Sequence, residues 1–227
     1  MIDKLTWDSE FFGYNVGRYI IDNQLFDENL LKENKDNFKL IYIFSDEAIH
    51  DIKEIKLVDI KVIFEKKIAK DLKDNESIVE FDSNIQNYSE LEQLAYLSGI
   101  YSRFKIDENF KNNEFQKLYK IWLDNSLNGK IAFKVFVKII DQKIAGFVTL
   151  KKNDDKTSQI GLISVSDIFQ GRGIASELIK KAEYESWKNG FEVLQVPTQF
   201  KNKPALKLYT KNGFEIKEKK YIYHYWK

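Results

Sequence analysis

The sequence predicts an α+β fold in which strands and helices are intermixed, preceded by a small α/β unit. Three observations carry this. An apolar, strand-like run from Ile160 to Val165 leads through the turn Gln170-Gly171-Arg172-Gly173-Ile174-Ala175 into a helical pattern from Ile174 to Asn189. Upstream, two β-rich segments, Ala132 to Ile140 and Ile144 to Leu150, are joined by Asp141-Gln142-Lys143 as in a hairpin. Lys188-Asn189-Gly190-Phe191-Glu192 recurs as Lys211-Asn212-Gly213-Phe214-Glu215, and both copies read as helix stops with a left-handed glycine followed by a phenylalanine that folds back. Together they set the order strand, helix, strand, helix, strand from residue 157 onward.

In chain order, Val16 to Ile21 and Phe38 to Phe44 read as strands, with a helix from Phe26 to Glu33 between them. Lys61 to Ile68 reads as a further strand, and the polar segment Lys70 to Ser77 as a linker or exposed turn. A division into residues 1–76 and 77–227 follows from this. The second part opens with a short strand, Ile78 to Phe81. Helical stripes follow at Leu91, Leu94, Ala95 and Leu97, ending at Gly99, and at Phe115, Leu118, Tyr119, Trp122 and Leu123. Thr157 to Val165 is a strand. After the helix come a strand from Glu192 to Val196, a helix from Pro204 to Lys211, and two closing strands up to Trp226.

Composition narrows the chemistry. The 227 residues are 43% hydrophobic and 15% aromatic, enough for a substantial core. A net charge of +1 from 36 basic and 35 acidic side chains argues against a nucleic-acid surface as the main feature. With no cysteine and only two histidines, His50 and His224, the chain offers no disulfide, thiolate metal site or cysteine nucleophile, and no metal is expected. No charge-free apolar run approaches the ~20 residues of a membrane span, and no signal-peptide core follows Met1. A soluble cytoplasmic protein with no membrane partner is therefore expected. Only Arg18, Arg103 and Arg172 are arginines. Such scarcity draws notice to them, because a planar guanidinium suits phosphate better than lysine does.

A glycine-rich turn between strand and helix is a place to hold phosphate. Gly171 and Gly173 can adopt angles closed to other residues, so successive N–H groups can converge on an anion at the positive end of a helix dipole. The turn lacks the third glycine of a dinucleotide fingerprint and the Lys-Ser or Lys-Thr of a P-loop. With Val165 five residues before Gln170, it resembles the acyl-CoA motif of the GNAT N-acetyltransferase superfamily, over about residues 78 to 227. That resemblance implies a central mixed, mostly antiparallel, twisted sheet flanked by helices. The strand before the turn and the next strand would splay apart, with the pantetheine of acetyl-CoA in the gap. It implies main-chain contacts from Ile163 and Val165, and a pyrophosphate cradle formed by Gln170, Gly171, Arg172, Gly173, Ile174 and Ala175. Asp167 stands where the family often has proline.

The second motif runs from Gln199 to Tyr209. Asn202 is a good helix N-cap, and Pro204 is tolerated in the first turn. By the same resemblance Asn202 meets the cofactor arm and Tyr209 protonates the departing CoA thiolate. A phenol of pKa ~10 stays protonated at neutral pH and can donate to a thiolate. Leu5-Thr6-Trp7-Asp8-Ser9-Glu10-Phe11-Phe12-Gly13 with Gly17-Arg18, then Tyr101-Ser102-Arg103-Phe104 with Asp107 and Phe110, and Leu118 to Leu127, resemble the TDP-fucosamine acetyltransferase group of that superfamily. The resemblance implies a nucleotide-linked amino-deoxysugar as small-molecule acceptor, contacted by Arg18, Tyr101, Arg103 and Asp107. No general base stands out. A protein N-terminus or another small amine as acceptor, and a CoA-binding module without catalysis, are the alternatives. A homodimer is left open.

Overall fold

The computed structural model describes residues 1–21 and 26–227. In chain order the elements are β1 (Ile2–Lys4), α1 (Thr6–Phe12), β2 (Val16–Ile21), α2 (Glu28–Asn34), β3 (Leu40–Ser45), β4 (Ile55–Lys67), β5 (Ile78–Glu80), α3 (Tyr88–Ser98), α4 (Arg103–Ile106), α5 (Glu114–Leu127), β6 (Lys134–Ile140), β7 (Lys143–Lys152), β8 (Thr157–Val165), α6 (Ile174–Lys188), β9 (Val193–Gln199), α7 (Lys203–Lys211) and β10 (Glu215–Trp226). They form two compact units. One comprises Met1–Val62, Gln199–Lys201 and Glu218–Lys227; the other comprises Ile63–Thr198 and Asn202–Lys217.

In the first unit β1 pairs antiparallel with β2, β2 parallel with β3, and β3 antiparallel with β10. A parallel pair needs a crossover, and α2 lies in it. Asp27 starts α2 by accepting from the Asn29 and Leu30 N–H groups. Leu31 of α2 is fully buried in a cluster with Tyr19, Ile21, Ile41, Ile43, Tyr223 and Tyr225. Helix α1 has no counterpart in the sequence reading. It holds through Ser9, whose hydroxyl donates to the Leu5 carbonyl and accepts from the Val16 N–H, and it stops at Gly13 with φ 74°.

The two closing strands read from sequence are one strand, β10, of twelve residues. The charged stretch Lys217-Glu218-Lys219-Lys220 resembles a turn, yet its cations are matched where they fall. Lys217 pairs with Glu65, and Lys220 pairs with Asp46 at 2.7 Å.

In the second unit β5, β6, β7 and β8 are successively antiparallel and β9 joins β8 in parallel, so this sheet is mixed and mostly antiparallel, as expected. The β6–β7 loop is only Asp141-Gln142, with φ of 49° and 61°, the paired positive angles of a tight two-residue turn. Leu91, Leu94 and Ala95 of α3 and Leu123 of α5 bury Val135, Val137 and Phe147 on one face of the sheet. Gly146, next to Phe147 and so pointing the other way, faces Leu178 of α6. Gly99 does more than end α3, since a Cβ there would lie 2.2 Å from the Tyr119 ring. The segment expected as a linker is anchored. Lys181, buried on α6, holds Asp74 at 2.6 Å and Glu185 at 3.0 Å.

Candidate active site

The β8–α6 junction carries the glycine turn. The paired register of β8 with β9 covers Thr157↔Val193, Ser158↔Leu194 and Gln159↔Gln195 and ends there. Beyond it, β8 keeps β7 as its partner through Ile163↔Val148, Ser164↔Phe147 and Val165↔Gly146. On this stretch the Leu162 N–H donates to the Thr149 hydroxyl at 2.9 Å and the Ser166 N–H to the Ala145 carbonyl at 2.9 Å. Amide directions alternate along a strand. With Leu162 and Ser166 facing β7, the Ile163 and Val165 amides face the other edge, where the β9 pairing has ended. A chain with unpaired N–H and C=O groups fits this edge.

The turn is built to keep its donors open. Gly171 and Gly173 sit at φ 77° and 82°, and a Cβ at either would meet nothing within 4 Å. The obstacle to a side chain there is therefore conformational. Gly173 is the N-cap of α6, and no side chain caps that helix. Its first amides thus stay available at the positive end of the dipole. Gln170 braces the turn by donating to the Val165 carbonyl at 3.3 Å and to Asp167 at 2.8 Å. Arg172 lies exposed in the turn, its guanidinium 5.4 Å from the Phe169 ring. Ile174 is buried and Ala175 half-buried, anchoring the turn to the core. Glu177, an anion in the first turn of α6, is neutralised by Lys138 at 2.9 Å. These residues fit the pyrophosphate and pantetheine of coenzyme A in both charge and hydrogen-bonding character.

Helix α7 begins on Asn202, whose Oδ1 accepts from the Ala205 N–H at 3.2 Å. Its last turn reaches the first turn of α6, where the Asn212 amide donates to the Ser176 hydroxyl at 3.1 Å. Tyr209, one turn earlier, is 3% exposed and packs its ring against Phe64 and Phe214, at 5.5 and 6.0 Å between centroids. Burial pushes its phenol above the ordinary tyrosine range, so it holds its proton throughout the neutral range.

The expected acceptor residues fall in both units. Arg18, in the first unit, sits opposite Asp3 in the β1–β2 register and pairs with it at 3.3 Å. Tyr101, Arg103 and Asp107 lie in the second unit around α4. The Arg103 guanidinium stands 4.4 Å from the Phe104 ring centroid. Asp107 is 1% exposed and accepts from both the backbone N–H and the side-chain amide of Asn109, which shapes the loop after α4. Two residues that no local pattern marks support the site: Thr149, and Ser164, whose hydroxyl ties β8 to the Leu94 carbonyl of α3 at 2.7 Å; Asn212, which the sequence marks only as part of a helix stop, is a third. A groove of about 600 Å³ lined by Asp74, Ile78, Phe136, Lys181 and Glu185 contains none of the expected site residues. Among the described residues no group of three or more His, Asp or Glu side chains could hold a metal ion. None of the described helices is long and apolar enough to cross a membrane.

Comparison with known proteins bears on this geometry. The Acetyltransferase (GNAT) family model matches residues 96–214, which include α5, the sheet from β6 to β9, the glycine turn and α7. The spore coat polysaccharide biosynthesis protein SpsD of Bacillus subtilis is 26% identical over 134 residues, 59% of this chain and 46% of SpsD, so the match spans about half of that relative. The dTDP-fucosamine acetyltransferase of Escherichia coli O6:H1 is 25% identical over 226 residues, covering 97% of this chain and 96% of the enzyme. The N-alpha-acetyltransferase MAK3 of Arabidopsis thaliana is 26% identical over 162 residues, 70% of this chain and 79% of its own. Among solved structures, a conserved protein of unknown function from Staphylococcus epidermidis superposes with a TM-score of 0.64 over 93% of this chain and 83% of its own, at 13% identity. A GNAT-family acetyltransferase structure from Novosphingobium aromaticivorans gives 0.54 over 83% and 74%, also at 13% identity. The chain belongs to the GNAT acetyltransferase family, and it is an acetyl-CoA-dependent acetyltransferase.

Proposed function

We propose that this protein transfers the acetyl group of acetyl-CoA to the amine of a nucleotide-linked amino-deoxysugar, such as a dTDP-4-amino-4,6-dideoxyhexose, in the cytoplasm. The observation that carries this reading is the end-to-end alignment with dTDP-fucosamine acetyltransferase. It takes in the first unit, whereas a GNAT region alone specifies the donor and says nothing of the acceptor. The relation to SpsD, a protein named for polysaccharide biosynthesis, favours the same acceptor class.

Acetyl-CoA supplies an acyl group already activated as a thioester. The amides from Gln170 to Ala175 hold its pyrophosphate, with Arg172 beside them. Ile163 and Val165 pair with the pantetheine arm, and Asn202 meets it from α7. Tyr101, Arg103 and Asp107 of the second unit orient the sugar nucleotide. The neutral amine attacks the thioester carbonyl, and a main-chain N–H stabilises the negative charge that grows on its oxygen. As the new C–N bond forms and the C–S bond breaks, Tyr209 gives its proton to the sulfur and water takes the proton from nitrogen.

A second reading, acetylation of an N-terminal α-amine, is favoured by the relation to MAK3. Thiol release from acetyl-CoA, followed with a panel of TDP-linked amino sugars and with peptides, separates the two. Turnover with one or more amino sugars and none with peptides is the expected result. Turnover with peptides alone would overturn the proposal.

A further inference from the structure

The direction in which β8 presents its amides changes once along the strand. The Asn153 N–H donates to the Thr157 carbonyl, so odd residues face β7 at the start of β8 and Ser158 and Ile160 face β9. After the β-bulge between the Leu150↔Ile160 and Val148↔Ile163 pairs, the odd residues Ile163 and Val165 face outward instead. The extra residue lies at Gly161-Leu162, opposite Thr149. A bulge leaves an amide out of the regular ladder, and here the Thr149 hydroxyl takes it, accepting from the Leu162 N–H at 2.9 Å. Thr149 is 2% exposed and its own backbone lies in register with Val135 on β6, so the hydroxyl is held from the far side. Gly161 makes the approach possible, because a Cβ there would stand 2.8 Å from Thr149 Oγ1.

We propose that Thr149 is a positioning residue for acetyl-CoA: its hydroxyl fixes the bulge that turns the Ile163 and Val165 amides toward the pantetheine arm. This rests on the reading of those two amides as partners of the arm. Thr149 touches neither substrate. It acts by deciding which amides of β8 face the splayed edge.

The test is coenzyme A binding by calorimetry on the whole chain, together with the acetyl-CoA KM in turnover. Thr149→Val keeps the shape and removes the acceptor. It should raise the coenzyme A Kd and the KM about tenfold, as expected for a buried amide left without its partner. Thr149→Ser restores the hydroxyl and should lie within about twofold of the parent. Gly161→Ala, which displaces the hydroxyl without removing it, should follow Thr149→Val and serves if the valine variant does not fold. Equal effects of valine and serine, or parental affinity in both Thr149→Val and Gly161→Ala, would overturn the proposal. Gly173→Val is the reference: if it weakens binding while neither Thr149→Val nor Gly161→Ala does, only the role of Thr149 falls. If none of the three weakens binding, the donor site itself has been misread.

Discussion

The two helices at the site begin in opposite ways. Helix α6 starts on Gly173 at φ 82° with no side chain accepting from its first amides. Helix α7 starts on Asn202, whose side chain closes the Ala205 amide. An uncapped N-terminus keeps partial positive charge for an anion, and a capped one has spent it. On the reaction proposed above, the difference would divide the labour: α6 would offer its start to the donor's pyrophosphate, while α7 would contribute from its last turn, where Tyr209 is buried. One helix would then bind through its backbone and the other act through a side chain. Substitutions at the two should therefore fail in different kinetic parameters.

The largest effect is expected at α7. Tyr209→Phe removes the proton donor but keeps the ring between Phe64 and Phe214. In steady-state assays kcat should fall by about 10²-fold or more, with the acetyl-CoA KM within about twofold of the parent. The same substitution has a signature in stability against pH. The folded protein raises the Tyr209 pKa above its unfolded value of ~10. Stability from this group is thus complete below pH ~10 and is lost as pH rises toward the folded value, because the unfolded chain ionises first. Denaturant titrations between pH 9 and 11 should show the parent losing up to about 1.4 kcal/mol per pH unit more than Tyr209→Phe once above pH ~10. The smallest effect is at the start of α7. Asn202→Ala should cost about 1 kcal/mol of stability, read as a lower denaturation midpoint.

Much of the second unit was legible in the sequence because its signals are local. The glycine turn, the tight hairpin and the two Lys-Asn-Gly-Phe stops each announce themselves within a few residues. What escaped is set by distant partners. Nothing around Thr149 marks it, because a bulge is a property of register between β7 and β8. The charges of β10 look like a turn until Glu65 and Asp46 are found opposite them. Gly99 reads as a helix stop, while its lack of a side chain also answers to Tyr119, twenty positions along. Helix α1 is short: its helical apolar spacing is the single pair Trp7 and Phe11, four apart and stacked at 5.3 Å, too little in seven residues to disclose it. The contribution of residues 218–227 to the first unit likewise has no local signal.

On the proposed reaction, the open start of α6 holds the donor and the buried end of α7 does not. Coenzyme A titrated into Gly173→Val and Tyr209→Phe tests this most directly. Affinity in Gly173→Val should fall at least about tenfold, because the new side chain fills the cradle at a left-handed position. Tyr209→Phe should bind like the parent. Parental affinity in Gly173→Val, or a loss confined to Tyr209→Phe, would contradict it.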